Sequence, residues 1–243
     1  MTAAPSRRSR PEWLTTLGRT DPAELPGYFS EFAPPAEPRR RSAVLILFGP
    51  MDGAAGGTDG VEGIDVVLTE RSARLRSHAG QVSFPGGGID PGDDGPVGAA
   101  LRESEEEIGL VRSSVEVVTT MPSLYLSPSS NSVAPVVGWW NTPGPIGVVD
   151  PNEVAKVARV PLADLLDADH RFTVVGPTGF SAPGFEASGI FVWGFTAMLL
   201  NGLFEAAGLT LPWDERRRRG IPHGQGPSAR DVARYLASKA AGR

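Results

Sequence analysis

The pattern of apolar and polar positions predicts a mixed β-sheet with helices on its faces. Short apolar runs bounded by Gly, Pro or Asp are typical of strands, and they occur at residues 43–48, 64–69, 81–84, 115–119, 133–140, 154–160 and 190–193. Helical periodicity occurs at residues 96–108, 195–207 and 228–241. Because the strands and helices are interspersed without a regular βαβ repeat, the expected fold class is α/β with one mixed sheet.

The same pattern divides the chain into three parts. Residues 1–40 contain many prolines and few apolar runs, so we expect an irregular N-terminal arm with one short helix around residues 13–17. Its aromatic residues favour an arm that wraps over the main domain rather than a disordered one. Residues 41–208 form the main domain. Residues 209–243 are expected to be a linker, up to residue 227, and a C-terminal helix with Ser228 as its N-cap.

Composition and charge exclude several classes of protein. A hydrophobic content of 40% excludes a wholly disordered chain, and the absence of cysteine excludes a disulfide scaffold, a thiol nucleophile and zinc held by thiolates. A formal net charge of −5 argues against a general nucleic-acid binder. No apolar run is long enough for a membrane span, and no secretion signal is recognisable. We therefore expect a cytoplasmic protein that acts on a small molecule, without nucleic-acid or membrane partners.

A predicted helix with three glutamates is the clearest candidate for chemistry. Glu103, Glu106 and Glu107 are spaced i, i+3 and i+4, so they share one face of the helix at residues 96–108. The aliphatic residues lie opposite, and we expect the glutamates on a surface stripe. Like charges at this spacing are unfavourable without a counter-charge, and ligands that offer only oxygen point to Mg²⁺ or Mn²⁺. A solvated acidic face is the alternative.

Residues 102–110, with the sequence RESEEEIGL, resemble the REUXEEXGU core of the Nudix box, in which U is a bulky aliphatic residue. The resemblance implies a Nudix-like three-layer α/β/α sandwich with a mixed β-sheet. It also implies hydrolysis of nucleoside diphosphates linked to another moiety, with Mg²⁺ or Mn²⁺ as cofactor. Arg102 would orient the glutamates by ion pairing. The implied metal ligands are Glu103, Glu106 and Glu107.

The resemblance extends over about residues 42–205, with two departures inside the box. Ser104 stands where an aliphatic residue is usual, and Asp93 or Asp94 replaces the upstream glutamate, because the spacing from the preceding glycines fits either. The strand at residues 190–193 and the helix after it resemble the segment that closes the sheet in this family.

A second motif lies immediately upstream of the box. Residues 68–87, LTERSARLRSHAGQVSFPGG, are similar to the LLTxRSxxxRxxxGxxxFPGG signature of the coenzyme A diphosphatase subgroup of Nudix hydrolases, with Val67 in place of the first leucine. Arginines can offer fork-shaped donors to phosphates, and glycines let backbone amides approach them. The alternative is an ordinary arginine-rich loop between strands. The substrate-binding residues implied by the similarity are Arg71, Arg76, Gly80, Phe84, Pro85, Gly86 and Gly87.

Together the two motifs imply hydrolysis of the diphosphate bond of coenzyme A, free or acylated, to 3′,5′-ADP and 4′-phosphopantetheine. The general base would be Glu103 or Glu153, although Glu153 is alternatively a turn residue without a catalytic part. Two other functions stay open: a Nudix hydrolase of another nucleoside diphosphate derivative, such as NADH or ADP-ribose, and a Nudix-fold ligand-binding module with weak turnover. A homodimer is compatible with all three. The residues implied in catalysis are Glu103, Arg102, Glu107 and Glu153.

Overall fold

The computed structural model describes residues 9–51, 60–75, 77–126, 129–176 and 179–226. Arg76 and the helix expected at residues 228–241 lie outside these ranges. The α-helices described are α1 (Glu12–Leu17), α2 (Tyr28–Glu31), α3 (Gly95–Ile108), α4 (Leu162–Leu166) and α5 (Gly194–Ala206), and none of them is long and apolar enough to cross a membrane. The strands described are β1 (Arg40–Pro50), β2 (Ile64–Arg71), β3 (Val82–Ser83), β4 (Gly86–Gly88), β5 (Val115–Thr120), β6 (Leu124–Leu126), β7 (Asn131–Trp140), β8 (Val154–Pro161), β9 (Arg171–Val175), β10 (Ser181–Ala187), β11 (Ile190–Val192) and β12 (Arg218–Gly220).

One mixed sheet forms the centre of the described chain. Its main strand order is β3-β2-β1-β7-β5, and β4, β6 and β8 pair with β1, β7 and β2 respectively. Strand β1 runs parallel to β7 but antiparallel to β2 and β4. The predicted α/β class with a mixed sheet is therefore confirmed.

Alternation along β1 places helices on both faces of this sheet. Ile46 and Phe48 pack with residues of α1 and α5 on one face, whereas Leu45 and Leu47 pack with residues of α3 on the other. All four side chains are fully buried. Because successive side chains of a strand point to opposite faces, one continuous apolar run supplies both cores. The order helix, sheet, helix is the expected three-layer sandwich.

The N-terminal segment packs onto the sheet. Leu14 and Leu17 of α1 and Phe29 of α2 are buried in the same core as α5. Trp13 meets Phe48 of β1 edge to face, with ring centroids 5.3 Å apart. The described part of the arm is therefore wrapped over the main sheet, while the division of the chain near residues 40 and 208 stays a prediction.

A second sheet, which the sequence did not predict, has the strand order β11-β10-β9-β12. The expectation that residues 190–193 close the main sheet is wrong, because β11 pairs with β10. Ser188 and Gly189, between these two strands, both have positive φ, as a two-residue type I′ hairpin requires, so a tight turn fixes the partner of β11. The expected linker at residues 209–227 is also wrong in part, because it contains β12, which pairs with β9.

Candidate active site

Helix α3 places the predicted glutamates against the glycine strand β4. On one side of the helix, Val97, Leu101 and Ile108 pack into the core with the inward residues of β1, as the periodicity predicts. The opposite side contacts β4, which pairs with β1 through Gly86–Gly88. Glu103 and Glu107 therefore lie between the helix and the backbone of a glycine strand, whereas the side chain of Glu106 is 57% exposed.

Arg102 is the centre of an ion-pair network at this contact. Its Nε and Nη2 donate to the two carboxylate oxygens of Asp93, at 2.9 and 3.0 Å. Its Nη1 donates to Oε1 of Glu103 at 3.0 Å and to Oε2 of Glu106 at 3.1 Å. Nη2 also donates to the carbonyl oxygen of Gly88 at 2.9 Å. The planar guanidinium, with its five donors, thus holds the helix, the strand and the turn between them in one arrangement.

The structure distinguishes the two aspartates that the sequence left open. Asp93 takes the two-point contact with Arg102, and the hydrogen bonds from that guanidinium lower the pKa of Asp93 to about 2. Asp94 is exposed at the N-terminal boundary of α3 and makes no side-chain capping bond there. Asp93 is therefore the upstream acidic residue that joins the network.

Glu107 is buried, so the expectation that it lies on a surface stripe is wrong. Its exposed fraction is 6%, and its Oε2 accepts a hydrogen bond from the backbone N–H of Gly86 at 3.0 Å. Burial raises the pKa of Glu107 to about 7, although the Gly86 amide and the charge of Arg71 act to lower it. Helical periodicity assigns a residue to a face of the helix, but it does not show what packs on that face, and here β4 covers it.

Glu103 lies directly against the backbone of Gly87. A Cβ at Gly87 would come within 3.0 Å of the carboxylate carbon and both oxygens of Glu103, so only glycine leaves room for this carboxylate. A Cβ at Gly86 would instead meet the backbone of Ala43 and Val44 in β1 within 3.0 Å. Burial raises the pKa of Glu103, against the opposing effect of its hydrogen bond with Arg102. Side chains of ordinary size at either glycine would displace the site or the strand.

Two residues from other parts of the chain act on these glutamates electrostatically. In addition to burial, the negative charge of Glu153, exposed in the turn before β8, raises the pKa of both Glu103 and Glu107. The carbonyl of Glu153 accepts the backbone N–H of Ser72 at 2.8 Å, which joins this turn to the end of β2. Arg71 ends β2, and its Nε is buried without a hydrogen-bond partner among the described residues. An unused cationic donor therefore lies near the carboxylates.

The donor chemistry of this cluster suits a divalent cation. Glu103, Glu107 and Glu153 offer only oxygen ligands, and their mutual repulsion would be relieved by a nearby dication. Within the described ranges no three acidic or histidine side chains form a ready metal-binding group, and Arg102 is the present counter-charge of Glu103 and Glu106. The assignment of metal ligands among the box glutamates therefore stays a prediction.

A family model described as NUDIX domain matches residues 38–174, more than half of the 243-residue chain. The chain belongs to the Nudix family. The matched range contains β1, the ion-pair network of Arg102 and the turn of Glu153, so the cluster described above lies inside the Nudix domain.

Two curated relatives match this Nudix chain over different lengths. An uncharacterized Nudix hydrolase NudL from Citrobacter koseri is 42% identical over 109 residues, which are 42% of this chain and 52% of the relative. The corresponding NudL of Photorhabdus laumondii is 38% identical over 141 residues, which are 57% of this chain and 74% of the relative. The chain therefore spans about half of the length of the first relative and about three quarters of the second.

Solved structures of Nudix proteins show more distant similarity. A MutT/nudix family protein from Enterococcus faecalis has 15% identity and a TM-score of 0.45, over 79% of this chain and 71% of that protein. The NUDIX domain of Shewanella oneidensis NrtR, solved in complex with ADP ribose, has 22% identity and a TM-score of 0.40, over 57% of this chain and 84% of that domain. Similarity at this level indicates nothing about the substrate of this chain.

The unusual serine of the Nudix box has a local explanation. Ser104 is fully buried in α3, where its Oγ donates to the carbonyl oxygen of Ala100 at 2.6 Å. The hydroxyl is therefore hydrogen-bonded inside the helix, as a buried polar group requires. The departure from an aliphatic residue does not touch the carboxylates on the other side of the helix.

The structure separates the residues of the second Nudix motif. Phe84 is buried in the main core, and Pro85 is buried with its carbonyl accepting the N–H of Leu45 at 2.8 Å. These two residues hold the start of β4, and their expected substrate-binding roles stay predictions. Gly80 lies at the base of the loop after β2, where its N–H donates to the carbonyl of Arg71 at 3.0 Å. The substrate-binding roles of Arg71, Arg76, Gly80, Gly86 and Gly87 stay predictions.

Proposed function

We propose that this Nudix protein is a divalent-metal-dependent hydrolase of the diphosphate bond of coenzyme A and acyl-coenzyme A. One observation carries the proposal: glycines and an arginine of the motif that is similar to the coenzyme A diphosphatase signature act on the box carboxylates. At one end, Gly86 bonds to Glu107 and Gly87 lies against Glu103. At the other end, the charge of Arg71 opposes the effect of burial on the pKa of Glu107. A motif linked to one substrate is therefore joined to the chemistry that would cleave it.

Arg71 is the residue best suited to bind a phosphate of the substrate. Its buried Nε has no hydrogen-bond partner in the described part of the chain, and a buried donor left unpaired is unfavourable. A phosphate oxygen would satisfy this donor, and a guanidinium binds such oxygens in a two-point geometry. The diphosphate would then lie between Arg71 and the carboxylates.

The chain itself supplies binding, orientation and proton transfer. When bound by the box glutamates, Mg²⁺ or Mn²⁺ would neutralise charge on the diphosphate and lower the pKa of a bound water. Arg102 keeps Glu103 against Gly87 in a fixed position. Glu103 or Glu153 accepts a proton as the water oxygen bonds to one phosphorus. The bond from that phosphorus to the bridging oxygen breaks, which releases 3′,5′-ADP and 4′-phosphopantetheine.

Product analysis tests this function directly. The protein is incubated with Mg²⁺ or Mn²⁺ and, separately, coenzyme A, acetyl-coenzyme A, NADH and ADP-ribose, and the products are identified by mass. We expect 3′,5′-ADP from both coenzyme A compounds, together with phosphopantetheine in its free or acetylated form. Cleavage of NADH or ADP-ribose with coenzyme A left intact would assign a different diphosphate substrate. Tight binding without cleavage of any compound would indicate a ligand-binding module.

We expect Arg71→Ala to raise KM for coenzyme A by about 10- to 100-fold, because a hydrogen bond to a charged partner contributes about 1.5–3 kcal/mol. The measurement is steady-state kinetics at saturating Mn²⁺. Arg74→Ala is the matched control: Arg74 lies in the same loop, is exposed and donates to Asn152 at 3.2 Å. Equal KM values for the two variants would contradict the phosphate-binding role of Arg71.

A further inference from the structure

The segment at residues 213–226, here called the C-terminal strap, is fixed along the second sheet. The ring of Trp213 lies over the guanidinium of Arg171, 4.9 Å from the ring centroid, and Arg171 is 1% exposed. Thr173 of β9 donates through its N–H to the carbonyl of Arg217 at 2.8 Å and through Oγ1 to that of Glu215 at 2.6 Å. Strand β12 continues this contact by pairing parallel to β9.

Charged side chains of the strap reinforce this attachment. Arg219 forms an ion pair with Glu186 of β10, and its guanidinium lies 4.6 Å from the ring centroid of Phe172. Arg217 donates to the carbonyl of Asp169. The first part of the strap is therefore held at several points, so the position of the residues that follow β12 is restricted.

The far end of the strap contacts the loop that carries the second motif. Gln81 donates through Nε2 to the backbone carbonyl of Gln225 at 2.8 Å. The side chain of Gln225 covers Gly80, with its Cγ 3.6 Å from where a Cβ on Gly80 would lie. The Oε1 of Gln81 lies 2.9 Å from Nδ1 of His78, a residue with φ of 57°. Because Nε2 donates to a carbonyl, Oε1 is the acceptor, and Nδ1 of His78 carries the proton.

These contacts act on the base of the loop, where Arg71 is held. The N–H of Arg71 donates to the carbonyl of Gln81 at 2.9 Å, and the N–H of Gly80 donates to the carbonyl of Arg71 at 3.0 Å. A change in the position of Gly80 or Gln81 therefore moves the backbone from which the Arg71 guanidinium extends. A left-handed His78 is unfavourable by itself and persists because its neighbours hold it.

We propose that the C-terminal strap positions the substrate-binding loop, with Gln81 and Gln225 as positioning residues that act through the backbone of Gly80 and Arg71. The proposal rests on the proposed function, since it concerns how Arg71 is presented to a diphosphate substrate. It assigns a part in the reaction to residues 213–226, which lie outside both diagnostic motifs. The strap acts on substrate binding, because none of its contacts described above involves a box glutamate.

Two substitutions weaken the contact from its two sides. Gln81→Met keeps the length of the side chain but removes the bonds to Gln225 and His78, and Gln225→Ala removes the cover over Gly80. For each variant we expect faster hydrogen–deuterium exchange at the amides of Arg71 and Gly80, by about 10-fold, because their bonds open more often. We also expect KM for coenzyme A to rise about 3- to 10-fold while kcat stays within about 2-fold. In the double variant, the rise in KM should be smaller than the product of the rises in the two single variants, since both changes act on one contact.

Arg216→Ala is the matched control on the strap. The Arg216 side chain is 92% exposed and pairs with Asp214 of the same segment, so we expect exchange and kinetics like those of the unchanged protein. Unchanged exchange in both Gln variants would overturn the proposal, and so would faster exchange with an unchanged KM. A fall in kcat alone would also overturn it. If no compound of the substrate panel is cleaved, the proposed function has failed, whereas the exchange data still decide whether the strap holds the loop.

Discussion

Replacing Glu107 by glutamine is expected to lower kcat by at least about 100-fold and, in metal-free protein above pH 7, to make the fold more stable. Substitutions of residues that only orient metal ligands already cost about 10- to 100-fold in activity, so loss of a ligand should reach or exceed the upper limit. The amide keeps the size of the side chain and still accepts the N–H of Gly86. The measurements are steady-state kinetics with Mn²⁺ and urea unfolding with a chelator present.

The gain in stability follows from the raised pKa of the buried carboxyl. Burial raises the pKa of Glu107 from 4.5 to about 7. Below pH 4.5 the carboxyl is protonated in the folded and the unfolded chain, so the full stability is present. As pH rises from 4.5 to about 7 the unfolded chain loses this proton first, and the free energy of unfolding falls by about 3 kcal/mol in total. Glu107→Gln has no such loss. The difference in the free energy of unfolding between this variant and the unchanged protein should therefore grow from pH 4.5 to about 7 and disappear below pH 4.5.

Glu105→Gln is the matched control for this experiment. Glu105 lies two residues away on the same helix, is exposed and pairs with Arg112. Its substitution should change the free energy of unfolding by less than about 1 kcal/mol and leave turnover intact. Normal turnover in Glu107→Gln would remove this residue from the proposed metal ligands. An advantage that is the same at pH 4.5 and pH 8 would show that its carboxyl is not held in a desolvated position.

The outcome for Glu107 shows where helical periodicity stops being informative. The spacing of the glutamates correctly groups them on the face opposite Val97, Leu101 and Ile108. What covers that face is β4, and three consecutive glycines carry neither apolar alternation nor strand propensity. The strand forms because its backbone pairs with β1 over a long range in sequence, which a local pattern does not contain. Burial of Glu107 was therefore outside what the sequence predicts.

Local sequence patterns do not predict the second sheet, for a related reason. Strand β9 begins with Arg171, and an arginine in a sequence normally indicates an exposed position. In the structure this cation is fully buried between the rings of Phe185 and Trp213. Strand β10 contains Pro183 and Gly184, which usually argue against a strand. Gly184 is required there, because a Cβ would come within 3.0 Å of the side chains of neighbouring β9 residues. Tertiary contacts override local preference in both strands.

Gly87→Ala is expected to lower kcat/KM by about 100-fold or more while the protein stays folded. The added methyl group would occupy the place of the Glu103 carboxylate, which is the far end of a flexible side chain and can rotate away from its bond with Arg102. A displacement of about 1 Å at a reacting group can cost about 100-fold in rate, whereas local overpacking costs about 1–3 kcal/mol of stability. Steady-state kinetics and thermal unfolding, measured on the same preparation, separate these two effects.

The neighbouring glycines of β4 provide the controls that make this test decisive. A Cβ at Gly88 meets no atom within 4 Å, and the Gly88 carbonyl can still accept the hydrogen bond from Arg102. Gly88→Ala should therefore keep both the fold and the activity. A Cβ at Gly86 meets the backbone of β1, which has no room to move, so Gly86→Ala should destabilise the fold and lower the temperature of thermal unfolding. If Gly87→Ala retains activity like that of Gly88→Ala, the position of Glu103 against the strand has no part in the reaction. If Gly87→Ala loses activity while Gly88→Ala keeps it, and Gly87→Ala unfolds at a temperature close to that of the unchanged protein, catalysis depends on the position of the Glu103 carboxylate.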